Sequence, residues 1–80
     1  MAKYDPLRSH LSRSPGRRVS LSFKQVEQIV GSLPASAYRY NAWWSNELNG
    51  SHVQAHSWLS AGFRVIGADL ATKTVVFARG

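Results

Sequence analysis

Cysteine is missing from all 80 residues. That removes disulfides and thiolate metal ligands from any account of this chain, and it suits a reducing compartment. Carboxylates are almost as scarce. Asp5, Glu27, Glu47 and Asp69 are the only four, and none pairs with another at a spacing recognisable for general acid–base work. There is no nucleophile elbow and no phosphate-cradling glycine loop, so an enzyme is not expected. His52 and His56 stand at helical i, i+4 spacing, yet a third ligand would have to be His10, Glu47 or Asp69. No metal site and no cofactor is expected from so poor a ligand set. Long apolar runs are absent too, the longest falling far short of the ~20 residues that a membrane helix requires. The amino terminus M-A-K-Y-D-P-L-R-S-H has no apolar core of a signal peptide. The expectation is a cytoplasmic protein, in a bacterial or phage-infected cell, without a membrane partner.

What the chain does have is apolar content and positive charge. At 44% hydrophobic and 11% aromatic residues it can build a core, and residues 1–80 are read as one domain near the lower size limit for a single core. The formal net charge is +6. Lys3, Arg8, Arg13, Arg17, Arg18 and Lys24 all precede residue 25, with Asp5 alone opposing them. Such a field concentrates polyanions, of which nucleic acid is the commonest in a cytosol. Solubility alone can account for a charge of about 2–8 on a small domain, so the pattern of elements has to carry the argument further.

Asp5-Pro6 reads as a helix start, with Leu7 and Leu11 on one side, giving a short helix over 3–12. S-R-S-P-G-R (12–17) is a turn. Val19, Leu21 and Phe23 alternate with Ser20 and Ser22, which marks a short half-buried strand over 18–23. Ser22 and Gln25 have capping-box spacing, Val26, Ile29 and Val30 form an apolar stripe, and Gly31 sits where a helix terminator should. A helix over 23–30 follows. Leu33 to Tyr38 turns into a brief helical piece ending at Arg39 and Tyr40. Trp43 and Trp44 are adjacent, so one is expected in the core and the other at an edge or the surface. Ser51 and Gln54 repeat the capping box, Ala55, Trp58 and Leu59 supply a stripe, and Gly62 ends a helix expected over 51–61. Alternation over 63–66 and again over 74–78, split by a polar turn at 69–73, predicts a hairpin.

The succession is that of an α+β, winged-helix-like domain: three to four short helices with a small antiparallel sheet made from one early strand and the carboxy-terminal hairpin. The strings Y-D-P-L (4–7), L-S-F-K-Q-V-E-Q-I-V-G-S-L-P-A-S-A (21–37), A-W-W-S-N (42–46), H-V-Q-A-H-S-W-L-S-A-G-F-R-V (52–65), D-L (69–70) and V-x-F-x-R (75–79) resemble a small bacterial and phage domain family of unassigned function. Members of that family occur alone or attached to restriction-type and other DNA-related proteins. Trp43, Trp44, Asn46, His52, Gln54 and Trp58 fit its pattern by position, whereas His56 stands where Arg or Lys is expected. The expected setting for a small basic DNA-binding protein of this kind is regulatory, nucleoid-associated or accessory to phage or restriction functions.

For a DNA reader, the 51–61 helix would enter the major groove. His52, Gln54 and His56 could bond bases or phosphates, and Asn49, Ser51 and Ser57 could bond phosphates. Trp44 and Asn46 would stand beside them. The helix carries no arginine, so neutralisation would fall to Arg13, Arg17, Arg18, Lys24, Arg39, Arg64, Lys73 and Arg79, with Lys73 near the hairpin tip placed as a wing would place it. Double-stranded DNA is the expected partner, with a homodimer possible. The competing expectation is a protein-interaction module, with an aromatic anchor of Tyr40, Trp43 and Trp44.

Overall fold

The computed structural model describes residues 3–47 and 53–80. Asn49, Ser51 and His52, and with them the Ser51–Gln54 capping box, lie outside the described residues. In chain order come α1 (Asp5–Ser12), β1 (Arg18–Ser22), α2 (Phe23–Val30), α3 (Ala35–Arg39), a 3-10 turn at Asn41–Trp44, α4 (Ala55–Ser60), β2 (Phe63–Asp69) and β3 (Thr74–Arg79). The strands make one antiparallel sheet in the order β1-β3-β2. The early strand therefore lies against the second arm of the hairpin, and β2 takes the other edge. This is the α+β, winged-helix-like arrangement that the order of elements predicts.

Ser22 fixes the sharpest boundary. Its Oγ accepts from the Gln25 amide at 3.0 Å while Gln25 Oε1 accepts from the Ser22 amide at 2.8 Å. A capping box thus ends β1 and starts α2 with no loop between them. Gly31 closes α2 at a φ of 100°, a backbone conformation that side chains avoid. At α1 the start differs from expectation. Asp5 is the first helical residue, Pro6 lies in the first turn, and Tyr4 holds the cap position without a side-chain bond. Proline is tolerated there because its missing N–H would have no helical partner.

α4 is shorter than the 51–61 helix read from the sequence. It runs Ala55–Ser60, after a turn at 53–54, and leaves through Ala61 into Gly62 at a φ of 86°. The apolar stripe holds, with Ala55 and Trp58 fully buried and Leu59 packed at the core's margin. β2 also departs from simple alternation. Val65 faces Phe77 but Gly67 faces Val76, so Ile66 is an extra residue in a bulge. The bulge turns Ile66 outward, 44% exposed, and lets Ala68 pair with Val75 on the core side.

An aromatic run joins the two layers. Trp44 stacks on Phe23 at 4.8 Å and on Trp58 at 6.1 Å between ring centres, and Trp58 leans on Phe77 at 5.6 Å. α2, the 3-10 turn, α4 and β3 are therefore tied through four rings, each large in buried area. Of the adjacent tryptophans Trp44 is the core residue. Trp43 is half-buried and meets Tyr4 edge-on at 5.9 Å.

Candidate nucleic-acid interface

Three residues expected at a DNA surface are engaged by the fold itself, two of them buried and Asn46 at the surface. Trp44 is buried and its indole N–H donates to the Ala37 carbonyl at 2.9 Å. Gln54 is buried as well, with Nε2 donating to the Trp43 carbonyl at 2.8 Å. Asn46 serves β2, an edge strand. Its Nδ2 donates to the Val65 carbonyl at 2.9 Å, while Oδ1 accepts from the Val65 amide at 2.8 Å and from the Trp58 indole at 2.9 Å. The amide fills one ladder position along an otherwise open edge. The chemistry behind this was present in the sequence: each buried indole N–H needs an acceptor, and Asn46 is an amide two residues from a tryptophan pair.

The cations are all at the surface; every one of the ten is exposed. Glu27 and Asp69 are each engaged by groups of the fold. Glu27 accepts from the Tyr38 hydroxyl at 3.0 Å, and Asp69 Oδ1 accepts from the amides of Ala71 and Thr72. Burial, and then the bond to Glu27, push the Tyr38 phenol above its ordinary value.

Strand register gathers the arginines. Arg18 lies opposite Ala78, which lies opposite Arg64. Directly opposed side chains leave the same face of a sheet, and Val19, Phe77 and Val65 take the core face, so Arg18 and Arg64 project outward. In the adjoining row Arg79 faces Phe63, and its amide donates to the Arg17 carbonyl at 2.7 Å. The Arg79 guanidinium is held over the Phe63 ring at 4.5 Å and donates to the Ser14 carbonyl at 2.6 Å. Ser14 follows Arg13, the carboxy-terminal cap of α1. Arg13, Arg17, Arg18, Arg64 and Arg79 thus arrive from four elements at one end of the sheet, where α4 passes through Gly62 into β2, with Arg18 and Arg64 leaving its outer face and Arg79 the face that Phe63 takes. Neither row contains an acid.

The remaining expected residues lie elsewhere. Lys24 and Lys73 share a groove at the opposite end of the sheet with Glu27 and Tyr38. The hairpin turn there is tied down, because the Lys73 carbonyl accepts from the Phe23 amide at 2.8 Å. Arg39 is exposed at the end of α3. His56 opens onto a groove of about 320 Å³ between α1 and α4, alongside Lys3, Tyr4, Arg8, Val53 and Ser60. Ser57, at the same groove, is buried and donates its hydroxyl to the Gln54 carbonyl at 2.6 Å. Lys3 and Arg8 are site candidates that sequence reasoning passed over, since only their positive charge was visible there. Among the described residues no group of three or more His, Asp or Glu is placed to hold a metal ion, and no helix is long and apolar enough to cross a membrane.

The element order and the β1-β3-β2 sheet define a winged-helix-like domain with an arginine-rich end. Residues 4–80 match the model of a domain of unknown function, DUF7662, and the chain belongs to that family. No curated protein and no solved structure matches the chain.

Proposed function

We propose that this protein binds double-stranded DNA through the arginine end of the sheet and the outer side of α4 next to it. The observation that carries the reading is the convergence of Arg13, Arg17, Arg18, Arg64 and Arg79 from separate stretches of chain onto one end of the sheet. Guanidinium groups match phosphate oxygens in a two-pronged geometry and stay charged at all working pH values. Arg79 is already fixed by Phe63 and Ser14, so little side-chain entropy remains for it to lose on binding. α4 runs up to this end, and its exposed residues His56 and Ser60, with Val53 in the turn before it, are of a size to meet base edges. Lys3 and Arg8 extend the positive border along its flank.

Titration of a labelled duplex at rising salt tests the reading. Neutralising several phosphates makes affinity fall steeply, with a log–log slope of about −0.9 for each phosphate engaged. No binding at about 50 mM salt overturns the proposal. The protein-module alternative has less aromatic surface behind it, since Trp44 is core and Trp43 half-buried, with Tyr40 60% exposed.

A further inference from the structure

We propose that Val53 is a base-reading residue that selects thymine through its C5-methyl group; the inference rests on the DNA reading above. The turn at 53–54 is continuous with α4, because the His56 amide donates to the Val53 carbonyl at 3.2 Å and the Ser57 amide to that of Gln54 at 3.1 Å. Val53, His56 and Ser60 consequently share one side of a helical segment, at i, i+3 and i+7. All three are exposed, whereas Gln54, Ala55, Ser57 and Trp58 are turned inward. The outward set spans about 10 Å of helix, or some three base-pair steps.

Val53 is 61% exposed, in a groove otherwise rimmed by hydrogen-bonding and charged groups. Thymine C5-methyl is the apolar group that a major groove displays, and it is what an aliphatic side chain on a reading helix contacts. His56 supplies a polar tip for a neighbouring base. The Ser60 hydroxyl, which donates to the His56 carbonyl within the helix, can only accept there, and Lys3 and Arg8 lie where flanking phosphates would pass. Asp5 lines the same groove and limits how close a phosphate comes at the first turn of α1. A protein-docking role is disfavoured by the surroundings. Among the described residues, the other exposed large hydrophobics, Tyr40 and Ile66, do not line this groove, and Val53 belongs to no broad apolar patch there.

The test is selection of bound duplexes from a random-sequence pool by the whole protein, followed by sequencing. The wild type should enrich thymine about threefold at one position, the size expected for one buried methyl group. The enrichment should vanish when the pool carries deoxyuridine in place of thymidine, and when Val53→Ser replaces the wild type. Val53→Thr, which keeps one methyl, should retain part of it. The site is exposed, so all these variants fold. Retention of duplex without thymine enrichment, or enrichment that survives Val53→Ser, overturns this inference and leaves the DNA reading standing. Failure to retain any duplex overturns both. A change in sedimentation of the free protein on Val53→Ser, with base preference unaltered, makes the residue a self-association contact and overturns the inference as well.

Discussion

Asn46 satisfies three polar groups with one amide, and two of them belong to the backbone of an edge strand. Asn46→Ala leaves the Trp58 indole N–H, on a fully buried ring, without its acceptor and reopens the β2 edge at Val65. The expected loss is about 2–3 kcal/mol in a urea titration, the cost of stranding a buried donor together with lost strand bonds. Asn46→Asp keeps an acceptor for Trp58 and for the Val65 amide but cannot donate to the Val65 carbonyl, so it should lose less. Tyr38 gives a second prediction at this scale. Its phenol is raised above 10.0 by burial first and by Glu27 second, which means the folded state holds the proton more tightly than the unfolded chain does. The associated stability is fully present below pH 10 and disappears as pH rises through the folded value. Alkaline unfolding should therefore be less steep in Tyr38→Phe. Phenolate absorbance of the wild type should show late-titrating tyrosine, part of it from Tyr4, whose phenol burial also raises.

At the scale of elements, those built from local chemistry were legible. α2 is the best case: its cap, stripe and terminator all lie within ten residues, and each does what its spacing implies. Gly31→Ala should cost about 1 kcal/mol in thermal or urea unfolding, because a Cβ at positive φ is strained even where space is open. β1 and the hairpin were legible for the same reason, alternation being a two-residue rule. The β2 bulge was not, since nothing local says that one residue has no partner opposite it. α4 starts at Ala55, and the Gln54 side chain before it is drawn to the Trp43 carbonyl eleven positions away, while the Ser51 end of the expected helix lies outside the described residues. The candidate site divides along the same line. Cationic residues were identified correctly as surface residues, because charge resists burial wherever the chain goes. Trp44 and Gln54 are buried and Asn46, though exposed, has its amide engaged, because polar and aromatic side chains are claimed by partners that only the folded chain brings near. In this chain these residues do folding chemistry: paired tryptophans, an amide latch and a glutamine tie.

Across the whole molecule, positive charge is not spread evenly, and this is where the DNA reading can be separated from mere basicity. The arginine end and the Lys24–Lys73 groove sit at opposite ends of one small sheet. At the lysine end Glu27 lines the groove and Asp69 stands directly across from Thr74, next to Lys73; the two arginine rows hold no acid. Removing two charges from either end changes net charge identically, so a diffuse field predicts equal losses. A local clamp predicts unequal ones. Arg17→Ala with Arg18→Ala should lower duplex affinity about tenfold or more near 100 mM salt and flatten the log–log salt slope by about 1–2, as two phosphate contacts disappear. Lys24→Ala with Lys73→Ala should leave the slope nearly unchanged and shift affinity only through the weaker, screened attraction at a distance. Neither pair touches the core, so both proteins should melt close to the wild type, which makes binding the discriminating measurement. Equal losses from the two pairs would mean that the arginines act only as part of the total charge.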